Sequence, residues 1–238
     1  MEYQITDNQA QIRIYSRKES AVFCKTHEDF GGLSNMAGGY KLHLDGVEIL
    51  TSEVLYQACR YPHLPAVQKV IVGQRSSMTA KMKSKSHYQD SRLDWDRVRV
   101  NVMRWSLQVK LVQNWEAFGK LLESTGNLPI VELSRRDDFG GAKVVEDELI
   151  GVNVLGRLLM ELRQKYLLYK DIGFDVEPLG IVDFLFLEKP IGAISGTILT
   201  ALDSKHLLAN ETIRVKTSVK EERVAVLFGN YSQTQFGL

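Results

Sequence analysis

Three residues stand where an apolar pattern does not require them. Glu53 follows Thr51-Ser52 at the start of a predicted helix, directly behind a predicted strand. The positive end of a helix dipole favours a carboxylate there, so a solvated first-turn residue is the plain reading and a site carboxylate the pointed one. Trp95 lies between Asp94 and Asp96 where another helix begins, as a hydrophobic staple or as an aromatic surface for a ligand. Asp137 falls in Ser134-Arg135-Arg136-Asp137-Asp138-Phe139-Gly140-Gly141-Ala142-Lys143. Such a polar, glycine-bearing segment is usually a plain connection, although binding residues concentrate in loops of this kind.

Two further features suit an anionic ligand. Between Arg75 and Arg104 there are eight Lys or Arg against three Asp, a local excess of five positive charges. A solvated helical face explains that excess, or a phosphate-facing rim does, and the alternating Lys81, Lys83 and Lys85 could send one amine into a site. Gly151-Val152-Asn153-Val154-Leu155-Gly156 precedes a leucine-rich helix. It either offers helix N-terminal N–H groups to an anion or permits close packing.

Other chemistries lack their signatures. The histidines His27, His43, His63, His87 and His206 show no paired spacing, which argues against a zinc site. Walker, dinucleotide-binding and nucleophile-elbow motifs are missing from the sequence. Across all 238 residues, 30 Lys+Arg against 29 Asp+Glu leave a net charge of +1, too little for a general electrostatic grip on nucleic acid. Two cysteines, Cys24 and Cys59, point to a reducing compartment rather than a disulfide framework. No apolar run approaches the roughly 18 to 20 residues that span a bilayer. Met1 to Asp7 lacks the features of a signal peptide. The expectation is a soluble cytoplasmic protein with no membrane partner.

These residues need elements to hold them. Alternation over Gln11 to Ser16 predicts a half-buried strand, with Ile12 and Ile14 on one face and Arg13 and Tyr15 on the other. Leu42, Leu44, Val47 and Ile49 flank Asp45-Gly46, a hairpin signal. Helices are predicted from Thr51 to about Arg60, over Pro65 to Gly73 and over Met78 to Lys85. From Asp94, the stripe Val98, Val102, Trp105, Val109 and Val112 predicts a long amphipathic helix. Two more follow, at Trp115 to Glu123 and from near Gly151 along Leu155, Leu158, Leu159 and Leu162. Beyond Lys170, short runs such as Ile181 to Leu187 and Val224 to Phe228 read as strands, with one short helix near Ile198 to Leu202.

Read together, Phe30-Gly31-Gly32-Leu33-Ser34-Asn35-Met36-Ala37, Leu50 to Glu53 with Tyr56-Gln57-Ala58, Ser77 to Lys81, Trp95 ahead of Val102-Met103-Arg104, and Gly151 to Arg163 resemble the NADAR, or YbiA-like, family. The match runs in order from about Ile12 to Lys165. It implies an α+β fold, a predominantly helical domain with a small sheet over residues 1–168, followed by a C-terminal mixed α/β extension over 169–238.

The resemblance also implies a metal-independent N-glycosidase with no cofactor. The leading substrate is ADP-ribose on a guanine base of DNA or RNA, with a cognate ADP-ribosyltransferase toxin as the partner whose work is reversed. The alternatives are a phosphorylated ribosylamine intermediate of riboflavin synthesis and a non-catalytic ADP-ribose-binding module. Carried over by position, the catalytic set is Glu53, Asp137, Trp95 and Lys81, with Lys81 as a phosphate contact or an imine-forming amine. The ligand-binding set is Phe30, Gly31, Gly32, Ser34, Asn35, Arg75, Met78, Lys143, Gly151 and Asn153. One departure stands out: many relatives carry a tryptophan where this chain has Gly140 after Phe139.

Overall fold

Periodicity decides most of the architecture. The stripe Val98, Val102, Trp105, Val109 and Val112 is buried along its whole length, in α4 (Trp95–Gln113). Burial of each such side chain contributes roughly 1.5 to 3 kcal/mol, which makes α4 the central strut. Against it pack α1 (Ser52–Ala58), α5 (Trp115–Ser124) and α6 (Val154–Tyr169), while α2 (Pro65–Val72) and α3 (Ser77–Lys85) pack on α1. Helix α1 stops at Ala58, two residues short of the predicted end.

The strands are short. An antiparallel sheet has the order β1-β7-β6, from β1 (Arg13–Ser16), β6 (Lys143–Val145) and β7 (Glu148–Gly151). β2 (Ala21–Phe23) pairs in parallel with β5 (Ile130–Glu132), bringing Phe23 opposite Glu132. β3 (Leu42–Leu44) and β4 (Val47–Ile49) form the expected hairpin, with Asp45 at φ 50° and Gly46 at φ 79°, the left-handed geometry of its two-residue turn. In β1 the buried face is that of Tyr15, and Ile14, with the preceding Ile12, is exposed. Alternation alone does not say which face turns inward, and Leu149, Val131 and Ala142 cover Tyr15.

The computed structural model describes residues 11–135 and 137–196. Apart from Lys170–Ile172, these belong to one compact unit. Residues 173–196, placed in the extension by sequence, lie in that unit. Gln68 donates to Leu185 O (3.1 Å) and accepts from Leu187 N (2.7 Å), Arg92 donates to Val182 O (2.6 Å), and the Phe184 ring meets Trp105 at 4.9 Å. This segment carries β8 (Leu185–Phe186) and β9 (Lys189–Pro190). The helix predicted near Ile198 to Leu202 and the strand at Val224 to Phe228 lie outside the described residues.

Candidate active site

The first turn of α1 is tied down before Glu53 extends from it. Thr51 caps the helix, its hydroxyl accepting from Val54 N (3.4 Å). Glu53 N donates to Asn35 O (3.1 Å), and Ser52 Oγ donates to Asn35 Oδ1 (3.2 Å). Ser77 Oγ, at the start of α3, donates to Met36 O (3.1 Å) and meets Thr51 Oγ1 at 3.0 Å. The loop 30–37 therefore joins α1 to α3. Lys110 completes it from α4, its buried amine donating to Gly32 O (2.7 Å) and Ser34 O (3.1 Å). Burial holds the Lys110 pKa well below the usual lysine value.

Glu53 is 4% exposed, so it is not a solvated first-turn residue. Its Oε1 accepts from Gln57 Nε2 (2.9 Å) and faces Lys81 Nζ at 3.5 Å. The negative charge of Glu53 raises the Lys81 pKa, and burial opposes that shift only in part. An imine-forming lysine needs the reverse in its resting site, a depressed pKa. Lys81 here is a cation held by a carboxylate.

Two residues enter that the sequence pattern did not single out. Glu132, at the end of β5, is partly buried, and its pKa is pushed up to about 7. Burial is the main cause, followed by the charges of Asp137 and Glu53, with Lys81 acting the other way. Arg99, on α4, lies 4.2 Å from the Phe139 ring centre and so covers the Asp137 loop. A strand-end glutamate and a helix-surface arginine look ordinary in sequence. Only their assembly from separate segments marks them.

Asp137 is exposed and shaped by its own loop. Its Oδ1 accepts from Phe139 N (3.1 Å) and Gly140 N (2.8 Å), while its own N donates to Ser134 Oγ (3.0 Å). A Cβ on Gly140 would lie 2.6 Å from Asp137 Oδ2, so the glycine permits this carboxylate orientation. Trp95 is 5% exposed, with the Tyr56 ring 5.0 Å away and the Arg60 guanidinium 4.9 Å from its ring. It is a packed wall rather than an open stacking surface. Arg60 also lies 3.9 Å from the ring of Tyr88, which is exposed.

Several expected ligand contacts have structural work in the fold. A Cβ on Gly31 would meet Lys25 O at 2.4 Å, and one on Gly32 would meet Leu121 and Tyr40, so both glycines answer close packing. Ser34 and Asn35 are buried as ties of the loop; Phe30 is partly buried beside them. Asn153, at φ 52°, accepts from Glu132 N through Oδ1 (3.2 Å) and donates to Ile130 O (2.9 Å), locking β5. Gly151 allows contact with Gly141 O.

The N–H groups at the start of α6 are taken. Val152 N, Asn153 N, Val154 N and Leu155 N donate to the carbonyls of Asp138, Gly141, Phe139 and Gly140 at 2.7 to 3.1 Å. The anion site expected at Gly151 is thus filled by the chain's own carbonyls. Lys143 is paired with Asp138 at 2.6 Å. Arg75 and Met78 are exposed near the start of α3.

Part of the basic segment is paired. Lys81, Arg92, Arg97, Arg99 and Arg104 face Glu53, Asp94, Asp94, Asp96 and Glu161. Arg75, Lys83 and Lys85 remain without a carboxylate partner among the described residues. No group of three or more His, Cys, Asp or Glu there is placed to hold a metal ion. None of the helices described is long and apolar enough to cross a membrane.

Residues 22–167 match the family model of the NADAR domain. The chain belongs to the NADAR family. It is 31% identical over 155 residues to N-glycosidase YbiA of Escherichia coli, a match covering 62% of this chain and 89% of that protein. It is 29% identical over 154 residues to a riboflavin biosynthesis protein of Vibrio vulnificus, covering 65% of this chain but 40% of the relative. The solved structure of E. coli YbiA superposes with a TM-score of 0.55 at 28% identity, covering 71% of this chain and 95% of that one. NADAR membership agrees with the α+β, mainly helical architecture above, and the fold places Glu53, Lys81, Glu132 and Asp137 around one region.

Proposed function

We propose that this chain removes ADP-ribose from ADP-ribosylated guanine in DNA or RNA, reversing the work of an ADP-ribosyltransferase toxin. The coarser class, a hydrolase acting on N-glycosyl bonds, accords with the relatives named N-glycosidase. The observation that carries the reading is the buried Glu53 carboxylate, fixed by Gln57 and Lys81 beside a second carboxyl and an exposed Asp137. Cleavage of a C1–N ribosyl bond passes through an oxocarbenium-like state, which anionic carboxylates stabilise.

In this reading Glu53 sits opposite C1 and takes a proton from the attacking water. Asp137, whose Oδ1 is committed to its own loop, offers Oδ2 to the ribose hydroxyls. Lys81 holds Glu53 and meets the phosphates. Trp95 backs Tyr56 and Arg60, while the exposed Tyr88 gives a base a surface to stack on. The outer face of α3 supports an extended substrate: Met78 and Met82 are exposed there beside Lys85, which has no carboxylate partner among the described residues.

A second reading has its own support. The riboflavin-named relative favours a small phosphorylated ribosylamine, which needs no rim. One assay separates them. Wild type should release free ADP-ribose from an ADP-ribosylated guanine oligonucleotide, and Glu53→Gln should not, a loss of roughly 10²-fold or more. Consumption of the ribosylamine phosphate with no release from the oligonucleotide gives the second reading the site. Binding of ADP-ribose without hydrolysis of either would leave a binding module.

A further inference from the structure

We propose that Glu132 is the acid that delivers a proton to the leaving base, opposite Glu53, which takes one from water. The proposal rests on the N-glycosidase reading of this site and adds a residue to it.

The argument begins with the backbone. Glu132 closes β5, where its N donates to Asn153 Oδ1 (3.2 Å) and its O accepts from Ala142 N (2.8 Å). The strand is also paired in parallel with β2. With both main-chain groups pinned, the side chain starts from a rigid point, as precise acid–base chemistry requires.

The surroundings of the two glutamates differ. Gln57 and Lys81 both turn donors toward Glu53. The Glu132 carboxyl makes no hydrogen bond and no ion pair among the described residues. It is faced by Glu53 from α1, by Lys81 from α3 and by Asp137 from the loop after β5. The neighbours of its main chain, Phe23 across the strand pair and Asn153 at the start of α6, do not titrate. A carboxyl group flanked by two others and by a single lysine does not ionise cheaply when nothing donates to it. Burial acts the same way, and the Glu132 pKa of about 7 leaves a large protonated fraction at neutral pH.

The step balances. As the C1–N bond breaks, its electron pair retreats to the base nitrogen, which accepts the Glu132 proton. Water adds its oxygen to C1 and gives a proton to Glu53. Solvent then reprotonates Glu132 and deprotonates Glu53, so the cycle consumes one water and needs no other reactant.

The test compares wild type with Glu132→Gln, and with Glu132→Asp in case the amide variant misfolds. Carbon-13 resonances of labelled glutamate carboxyls are followed against pH without substrate, and kcat against pH on whichever N-glycoside wild type cleaves. One resonance should titrate near 7 in wild type and vanish in both variants. Wild-type kcat should fall as pH rises through that value. Glu132→Gln should lose roughly 10²-fold in kcat and also lose that decline, while ADP-ribose binding stays within about threefold. With Glu132→Asp the decline should move to a different pH.

A Glu132 resonance titrating in the ordinary carboxylate range, or an alkaline decline that survives in Glu132→Gln, overturns the proposal. Cleavage of the ribosylamine phosphate alone removes the ADP-ribose reading, and the Glu132 comparison then runs on that substrate. A wild type that cleaves neither removes the donor role together with the activity.

Discussion

Glu53 and Lys81 face each other across 3.5 Å, one almost wholly buried on α1 and the other half exposed on α3. The pair links the two helices that the loop 30–37 also joins, so the charge of the site and its scaffold meet at one place.

This pairing predicts how Lys81 reacts. Because Glu53 raises its pKa, the amine should be sluggish toward an amine-acylating probe near neutral pH. In Glu53→Gln the amine loses that partner, and its half-reaction pH should fall. Peptide mass spectrometry of Lys81 across a pH series measures this. Equal rates in the two proteins would show that the carboxylate does not govern the amine.

Glu132 predicts a pH-dependent stability difference. Its pKa is about 7 in the folded chain against an ordinary 4.5, so between those values the folded form keeps a proton that the unfolded form has released. Its contribution is fully present below about 4.5 and is lost as pH rises through 7. Glutamine does not titrate. The Tm of Glu132→Gln minus that of wild type should therefore be more positive at about pH 8 than at about pH 4.5, with roughly 2 to 4 °C for each kcal/mol. A difference independent of pH would contradict the raised value.

Asn153 carries two jobs that substitutions separate. Asn153→Ala loses the bonds to Ile130 O and Glu132 N and leaves a non-glycine residue at φ 52°. It should cost about 2 to 4 kcal/mol in urea unfolding. Asn153→Gly keeps the backbone at ease and should recover about 1 kcal/mol of that loss. Both variants within about 0.5 kcal/mol of wild type would mean that β5 does not depend on this side chain.

Much of the fold was legible because its signals are local. The stripe from Val98 to Val112 and the Asp45-Gly46 turn each state their element within a few residues, and both are found. Glu53 could be placed at a helix start, but not its burial, which depends on Asn35, Gln57 and Lys81 arriving together. Gly151 to Asn153 resembled an anion site because the carbonyls that fill it come from Asp138 to Gly141, which no local pattern links to the helix. The excess charge from Arg75 to Arg104 is offset in part by Glu53 and Glu161, which lie outside that segment and which no local pattern links to it. Glu132 was invisible because its chemistry belongs to its neighbours.

The four bonds from the start of α6 to the carbonyls of 138–141 make the Asp137 loop a fitting on the end of a rod. At about 1.5 Å per residue, the 16 residues of α6 span roughly 24 Å. The far end is Tyr169, whose ring lies 5.6 Å from Phe174, just past the stretch that matches the family. A displacement of the Asp137 loop would bear on one end of that rod, and the other end is held by the Phe174 ring.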